Sequence, residues 1–421
     1  MRRNLTPDID LAAHLFDALR ERTSDGIGIT REAYGPGERI AHAIVRERAE
    51  ALGLEIAVDP AGNLLMTLAG QDRSARRVVV GSHLDSVARG GNFDGAAGVL
   101  AGLAAVSGMR RAGLRPRRDV TVLAIRAEEG GAWFPTGFPG SRAALGTLPS
   151  AALEVARMDT GRTLADHMAE EGFDPNAVRA GRCLLPPASV AAYVELHIEQ
   201  GPVLDSEAIP VGIVSGIPGS RRLRAARVIG EYNHSGATPR RYRRDAAIAL
   251  AELAHRLDDR WAELEAHGHR LVCTFCVLAT TAEAGFTKIP GEATFQLDIR
   301  SVTQASVDVM YATLHALVAD IEARRGVRFE LGAEAVALPT PMDAAIRAGL
   351  LRAATDLGIA HREMPSGGGH DAVAFAQAGV PAGMVFVRNQ NGSHNPREAM
   401  RMEDFADAAA VVTRWAADAA G

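Results

Sequence analysis

Residues 77–86 read Arg77-Val78-Val79-Val80-Gly81-Ser82-His83-Leu84-Asp85-Ser86, so three consecutive valines lead directly to an imidazole and a carboxylate. Short apolar, β-branched runs of this kind are typical of buried strands in a sheet that is covered on both faces. In an open α/β sheet, ligands bind outside the carboxyl ends of the strands. The stretch therefore predicts an α/β fold whose site includes His83 and Asp85.

Three other segments repeat this pattern, in which an apolar run is followed by polar side chains. They are residues 120–125 before Glu128 and Glu129, residues 192–196 before His197, and residues 384–387, followed after a loop by His394. Helical patterns separate these runs, as at residues 95–113. We therefore expect the polar side chains to meet at one edge of the sheet.

Residues from about 215 to 332 follow another pattern and interrupt the first one. Strands are predicted at residues 222–229, 271–279, 292–299 and 327–331, and helices at residues 239–266 and 305–324. The order βαββαβ is that of a ferredoxin-like unit. We therefore predict a catalytic domain made of residues 1–214 and 333–421, with residues 215–332 as a small inserted domain.

Composition excludes several classes of protein. The chain has 421 residues, of which 47% are apolar and 23% charged, and its net charge is −5. These values are ordinary for globular proteins and argue against a disordered tail protein or a collagen-like fibre. Since the sequence has no apolar run of 18 residues, no membrane-spanning helix is predicted.

The basic residues are almost all arginine, because Lys288 is the only lysine among 46 basic residues. Such a bias can indicate a nucleic-acid binder. Here acidic residues outnumber basic ones, and the densest cluster, residues 240–244, ends at Asp245. We interpret the arginines as compositional, place residues 240–244 at the start of a helix, and predict no binding of nucleic acid.

Two of the cysteines form a CxxC pair, which can bind metal or act in redox chemistry, but its context favours a structural role. Cys273 and Cys276 form a CxxC pair within a predicted strand, where positions three apart face opposite sides. There is no second CxxC, so we predict a structural role and a reducing compartment. The N-terminal residues have no apolar signal segment, which favours the cytoplasm.

Five of the thirteen histidines lie beside glycines or at strand ends, whereas the others are in helical or charged contexts. The five are His83, His197, His234, His370 and His394. Neutral imidazole is a good ligand for zinc and similar ions. This set therefore contains the candidate ligands of a metal site.

Acidic residues near these histidines complete a candidate ligand set. Asp85 can accept the second ring N–H of His83, and Asp94, in a glycine-rich turn, can reach two metals, although an N-cap in a tight loop is the alternative. Of Glu128 and Glu129, one can bind metal while the other faces a bound water. One plausible grouping is therefore two metals that share Asp94.

Several motifs together resemble the M20 metallopeptidase superfamily, and within it the hydantoinase/carbamoylase amidase branch. These motifs are residues 81–86, residues 91–95, Glu128-Glu129-Gly130, residues 195–202 and residues 392–396. The branch includes N-carbamoyl-L-amino-acid hydrolases, β-ureidopropionases and allantoate amidohydrolases. The resemblance runs from about Thr30 to Trp415, which is nearly the whole chain.

The resemblance implies a role for each matching position in a centre with two divalent ions, Zn, Mn, Co or Ni. His83, Asp94 and His197 would hold one ion, and Asp94, Glu129 and His394 the other. Glu128 matches the general base, with Asp85 as a further catalytic residue. His234, in the motif at residues 234–239, typically reaches the active site of the other subunit in a dimer.

The resemblance also implies the substrate contacts, and the chain departs from the branch on this side. Arg300 matches the arginine that binds the substrate carboxylate, and Gln200, Gly368 and His370 match further contacts. For His370, a hydrogen bond that only fixes its loop stays an alternative. Ser220 and Thr287 stand where the branch often has Gln and Asn, which affects the expected choice of substrate.

The sequence thus predicts an α/β catalytic domain with a mixed sheet flanked by helices, and an inserted ferredoxin-like α+β domain that serves as lid and dimerisation domain. The expected activity is hydrolysis of a linear C–N bond in an N-carbamoyl amino acid or a related carboxylate, by a homodimer that binds no membrane. The alternative is an aminoacylase or dipeptidase of the same superfamily that acts on N-acyl amino acids.

Overall fold

The computed structural model describes residues 5–129 and 131–421. Gly130, the last residue of the Glu128-Glu129-Gly130 motif, lies outside the described residues, as do residues 1–4. The chain divides into two compact units. Unit 1 comprises residues 1–215 and 342–421, and unit 2 comprises residues 216–341.

The strands and helices of the described residues are numbered in chain order. The strands are β1 (Glu55–Val58), β2 (Leu64–Leu68), β3 (Arg77–His83), β4 (Val120–Ile125), β5 (Val190–Ile198), β6 (Val211–Val214), β7 (Gly216–Ile217), β8 (Gly219–Ile229), β9 (Asn233–His234), β10 (Leu271–Thr280), β11 (Lys288–Ile289), β12 (Glu292–Ser301), β13 (Arg328–Glu330), β14 (Glu334–Ala337), β15 (Thr340–Pro341), β16 (His361–Met364) and β17 (Ala382–Val387). The helices are α1 (Ile9–Thr23), α2 (Pro36–Ala51), α3 (Ala96–Arg111), α4 (Pro139–Ala144), α5 (Leu164–Glu170), α6 (Pro175–Arg179), α7 (Val203–Ser206), α8 (Ala246–Ala266), α9 (Gln304–Arg325), α10 (Ala344–Asp356), α11 (Ala372–Gln377) and α12 (Met402–Ala419).

Unit 1 is built on a mixed sheet of eight strands flanked by helices, as predicted. Its strand order is β1-β2-β4-β3-β5-β17-β6-β16. The four central strands β4, β3, β5 and β17 are parallel to one another, so their carboxyl ends lie at the same edge. All four were predicted as buried apolar runs, and β4 and β17 are buried along their whole length.

Two glycines let the elements around β3 approach closely. A Cβ added to Gly81 would lie 2.1 Å from the carbonyl oxygen of Leu123 on the neighbouring strand β4. Gly95, the residue before α3, has φ +66°, and a Cβ there would lie 2.4 Å from the ring of His83. Since real Cβ atoms essentially never come this close, both positions require glycine.

Unit 2 contains an antiparallel sheet in the order β10-β12-β8-β13, with β14 also paired to β8. This is the strand order of a ferredoxin-like split βαβ unit, as the sequence predicts. Helices α8 and α9 pack on the sheet through a core that includes Leu250, Leu253, Phe295 and Leu314. The unit thus has a hydrophobic core of its own.

The structure changes two details of the predicted organisation. The inserted unit extends beyond residue 332 to Pro341, because β14 pairs with β8 and β15 pairs with β7. Residues 240–242 form a 3₁₀ turn, and α8 begins only at Ala246. The prediction of a helix from residue 239 was wrong because Asp245 caps the helix, accepting a 3.1 Å bond from the Ile248 N–H.

Cys273 is buried and Cys276 is exposed, as their positions on strand β10 predict. Neither forms a disulfide. In the described part of the chain, no helix combines the length and the apolar composition that crossing a bilayer requires.

Candidate active site

The candidate ligands of unit 1 meet at the carboxyl edge of its sheet. His83 is the last residue of β3, and His197 is the next-to-last residue of β5. Asp94 precedes α3, Glu129 follows β4, and His394 lies in the loop after β17. Parallel neighbours place these positions side by side although they are up to 311 residues apart in the chain.

His83, Asp94 and His197 form the first group, and all three are buried. Asp94 Oδ1 lies 3.1 Å from His197 Nε2 and 3.7 Å from His83 Nε2. The two Nε2 atoms are 3.4 Å apart. Three potential ligand atoms thus surround one small space.

Asp94, Glu129 and His394 form the second group on the other side of the same carboxylate. His394 Nε2 lies 3.3 Å from Asp94 Oδ2 and 3.2 Å from Glu129 Oε1. The His394 side chain is half exposed, whereas both carboxylates are buried. Asp94 is therefore common to both groups, with one oxygen facing each of them.

The protonation of the two buried rings indicates that the first group fits a cation. Nδ1 of His83 lies 3.0 Å from the Asp85 carbonyl oxygen, and Nδ1 of His197 lies 2.9 Å from the Ile198 carbonyl oxygen. In the neutral rings, these bonds place the proton on Nδ1 and leave a lone pair on Nε2. That lone pair faces Asp94 Oδ1, which is buried and receives no well-aligned hydrogen bond from the described part of the chain. A bound metal ion would satisfy all three atoms.

The charges of the site lead to the same conclusion. Burial lowers the pKa of His83, but the nearby Glu128, Asp85 and Asp94 carboxylates raise it well above its usual value. Contacts with Asp94 and Glu129 raise the pKa of His394 to about 11. The excess of negative charge thus favours positive charge at this place, which a cation held by the neutral rings would supply in place of the protons.

Glu128 belongs to neither group but lies beside the first one, with Oε2 3.7 Å from His83 Nε2. Burial raises its pKa well above the usual value of a glutamate, and the negative charges of Glu129 and Asp371 add to the effect. A raised pKa makes a carboxyl group a stronger proton acceptor than an ordinary glutamate, which suits a group that transfers protons.

Asp85 contributes in two ways, only one of which was expected. The nearest acceptor for the His83 Nδ1–H is the Asp85 backbone carbonyl, at 3.0 Å, while its carboxylate lies 3.4 Å away. The carboxylate instead accepts bonds of 3.0 Å from the backbone N–H groups of both Glu128 and Glu129. Asp85 therefore fixes the position of the two glutamates.

Glu38 and Arg126 also support this turn, and sequence reasoning missed both. Ala127, just before the glutamates, has φ +56°, an uncommon conformation for a residue with a side chain. Glu38 accepts a 2.9 Å bond from the Ala127 N–H and a 2.8 Å bond from the buried Arg126 guanidinium. Because Glu38 lies 89 residues before Ala127 in sequence, no local pattern links them.

Ser393 and Glu398 hold Asp94 from the second side, and neither was predicted. The Ser393 hydroxyl lies 2.6 Å from Asp94 Oδ2 and 2.6 Å from Glu398 Oε2. Glu398 Oε1 accepts bonds from the backbone N–H groups of Phe93, at 2.9 Å, and Asp94, at 3.2 Å. The only signal for Ser393 in the sequence is its position directly before His394.

The substrate-contact candidates of unit 1 also lie here. Gln200, at φ +63°, donates from Nε2 to Asp94 Oδ2 at 2.9 Å, so its amide touches the shared carboxylate.

His370 is buried with its ring 4.5 Å from that of His197, and its Nε2 lies 3.0 Å from Ser366 Oγ. Ser366 Oγ also accepts a bond from the Gly368 N–H, at 3.1 Å. His370 thus makes a hydrogen bond within its own loop, which was the alternative to a substrate contact.

The remaining candidates belong to unit 2, where the His234 segment lies beside Thr287, and Arg300 lies beside Ser220. His234 is exposed on β9, opposite β11, and the backbone N–H of Ser235 donates to the Thr287 carbonyl at 2.9 Å. Arg300 on β12 pairs in register with Ser220 on β8. The Arg300 guanidinium donates to Asp298 Oδ2, with its Nη2 at 2.6 Å.

Comparison with known proteins places the chain in a family. Residues 79–418 match the model of "Peptidase family M20/M25/M40". The chain belongs to this family. Among its relatives, the N-carbamoyl-L-amino acid amidohydrolase of Geobacillus stearothermophilus is 37% identical over 396 residues, which cover 92% of this chain and 93% of the relative.

Other members of the M20 family agree with this assignment. The allantoate amidohydrolase of Escherichia coli strain K12 is 34% identical over 382 residues, or 90% of each chain. A crystal structure of a hydantoinase/carbamoylase family amidase from Burkholderia multivorans has a TM-score of 0.90 and 28% identity, covering 99% of this chain and 98% of that one. The predicted resemblance to this branch is confirmed.

We expect that replacing Ser393 with Ala will weaken binding of Zn²⁺ by about 10- to 100-fold. Loss of a residue that hydrogen-bonds to a metal ligand typically lowers metal affinity by that factor. Asp94 Oδ2 would lose a 2.6 Å contact. Ser393→Thr, which keeps the hydroxyl, should restore most of the affinity. Competition of each variant with a zinc-binding dye measures this.

The control is Ser206→Ala, since Ser206 is exposed at the end of α7 and belongs to neither ligand group. If Ser393→Ala binds Zn²⁺ as tightly as this control does, Ser393 does not position Asp94.

Proposed function

We propose that this M20-family chain is an amidohydrolase with two divalent metal ions that cleaves a linear C–N bond of an N-carbamoyl amino acid or a related ureido carboxylate. The observation that carries the proposal is the pair of ligand groups that share Asp94, with Glu128 beside them. The full-length similarity to an N-carbamoyl-L-amino acid amidohydrolase and an allantoate amidohydrolase supports the substrate class.

The two groups match the needs of two ions. His83, Asp94 and His197 would hold one, and Asp94, Glu129 and His394 the other. Imidazole and carboxylate ligands admit Zn, Mn, Co or Ni. When bound, such ions supply Lewis acidity, which polarises a substrate carbonyl and lowers the pKa of water.

Glu128 is the acid that remains for proton transfer. It would take a proton from the attacking water as the water oxygen bonds to the carbonyl carbon, and then give that proton to the leaving nitrogen as the C–N bond breaks. Asp85 would hold Glu128 in place through the 3.0 Å bond to its backbone N–H. With an N-carbamoyl amino acid, the products are the free amino acid and carbamate, which decomposes to ammonia and carbon dioxide.

Replacing Glu128 with Gln should reduce kcat by about a thousandfold or more, because general acid–base catalysis contributes roughly 10²–10⁴-fold. Metal content, measured by elemental analysis, should stay near two ions per chain, since Glu128 lies outside both ligand groups. Glu47→Gln, at an exposed position of α2, is the control. Full activity in Glu128→Gln would contradict the assignment of the base.

We assign to unit 2 the contact with the substrate carboxylate and the contacts with a second subunit. Arg300 would bind the substrate carboxylate, for which a planar guanidinium is suited. Two features favour association into a homodimer through this unit. First, strand β10 is an edge strand of its sheet and exposes Val272, Val277 and Leu278. Second, Phe286 is fully exposed just before β11, the strand that pairs with His234 on β9.

His234 would act in the active site of the partner subunit, where it would stabilise the developing negative charge on the carbonyl oxygen. Its Nδ1 accepts bonds of 3.0 Å from the N–H groups of Gly236 and Ala237. In the neutral ring, the proton is therefore on Nε2, which can donate to an oxyanion.

Mixing two inactive variants tests this assignment. His234→Ala and Glu128→Gln should each be nearly inactive, but dissociating and reassembling an equimolar mixture should restore about one quarter of wild-type activity, because half of the dimers are mixed and each has one complete site. The control mixture combines Glu128→Gln with Glu128→Gln/His234→Ala. If His234 acted within its own chain, the first mixture would restore none.

The substrate class itself is tested with matched substrate pairs. Metal-reconstituted enzyme should release ammonia and the amino acid from N-carbamoyl amino acids or allantoate, and should hydrolyse the N-acetyl derivatives of the same amino acids at least tenfold more slowly. Thr287 and Ser220, where the branch often has Asn and Gln, would face the substrate, so amino acids with several different side chains belong in the panel. Preference for the N-acetyl series, without ammonia release, would instead support the aminoacylase alternative.

A further inference from the structure

A groove in unit 2 is lined by an unusual number of arginines. Its volume is about 690 Å³. Six arginines line it, together with Tyr242, Gly326 and a single acidic residue, Glu231. The arginines are Arg240, Arg241, Arg243, Arg244, Arg324 and Arg325.

Half of these arginines have partners within the protein. Arg324 pairs with Glu252 and with Asp320, and Arg325 lies 2.5 Å from Glu252, so both tie the end of α9 to its neighbours. Arg243 donates to two backbone carbonyls. These three side chains are therefore fixed and form a rigid wall of the groove.

The other three arginines, Arg240, Arg241 and Arg244, form no ion pair with any residue that the structure describes. All three are exposed, and Arg241 lies over the exposed ring of Tyr242. Guanidinium groups that line one groove without ion-pair partners repel one another. This positive patch is a local feature, since the net charge of the chain is −5. An anion in the groove would remove that repulsion.

The groove continues to the loop that carries His234. A neighbouring recess of about 480 Å³ shares Arg240, Arg243 and Arg325 with it, and Gly236 and Thr238 line its far side. Arg243 connects the two, since its Nε donates to the Thr238 carbonyl at 2.8 Å and its Nη2 donates to the Ser235 carbonyl at 2.5 Å. An anion held by the arginines would therefore restrain residues 234–238.

We propose that this groove binds a small oxyanion of two or more charges, and that the bound anion restrains the His234 loop. Guanidinium forks suit phosphate and carboxylate oxygens equally, so the shared chemistry is that of a polyphosphate or a polycarboxylate. The groove adds a binding site to unit 2 that the proposed hydrolysis does not require.

Titration calorimetry with pyrophosphate and with citrate tests the site and separates the two sources. We expect Arg240→Gln/Arg241→Gln/Arg244→Gln to bind the preferred anion at least tenfold more weakly than wild type. The control Arg76→Gln/Arg115→Gln/Arg182→Gln removes the same charge from exposed positions of unit 1 that form no ion pair with any described residue. It should bind as wild type does, and Arg244→Gln alone should give an intermediate affinity.

Hydrogen exchange tests the restraint without any substrate, so its result does not depend on the proposed hydrolysis. The preferred anion should slow exchange of the backbone N–H groups in residues 233–238 at least threefold in wild type and in the control, but not in the groove variant. Equal binding by all three proteins would overturn the proposal, because the anion would then bind elsewhere, for instance at the metal ligands. Anion binding lost in the groove variant, but with unchanged exchange in wild type, would overturn the link to the His234 loop.

Discussion

The site depends on one shared carboxylate. Asp94 turns Oδ1 towards the Nε2 atoms of His83 and His197, and Oδ2 towards His394. An aspartate that serves two groups of ligands must keep both oxygens in place, since a rotation that improves one side impairs the other. This explains why Asp94 has so many supports, with Ser393 and Gln200 on Oδ2 and Glu398 on its backbone N–H.

Burying several carboxylates close together costs free energy through desolvation and mutual repulsion, and the fold offsets this cost in two ways. Arg31 is fully buried beneath the site, where its Nε donates to the Leu84 carbonyl at 2.7 Å and its charge faces Asp94 and Glu398. Backbone N–H groups solvate the other acids, as those of Glu128 and Glu129 do for Asp85. Buried charges paired and hydrogen-bonded in this way keep a fixed geometry before any ion arrives.

Local sequence patterns predicted the residues at strand ends and missed the residues that support them. His83 and His197 were identified because a buried apolar run ends at each, and parallel strands bring such ends together. Glu38, Glu398 and Arg31 lie on loops and helices at least 60 residues away in sequence from the residues that they support. In such segments, the sequence alone does not distinguish a buried glutamate or arginine from one on the surface. The end of the inserted unit was misplaced for a similar reason, since β14 is recognised only by its pairing with β8.

The two units divide the chemistry of the proposed reaction. Unit 1 would supply the residues for metal binding and proton transfer, and the tightly linked hydrogen bonds around them leave little room for substitution. Two departures from the branch, Thr287 and Ser220, lie in unit 2, as does the arginine groove. Because unit 2 has a core of its own, its surface residues can change without disturbing Asp94. A change of substrate or the gain of an anion site is therefore physically easier in unit 2 than among the tightly linked residues around Asp94.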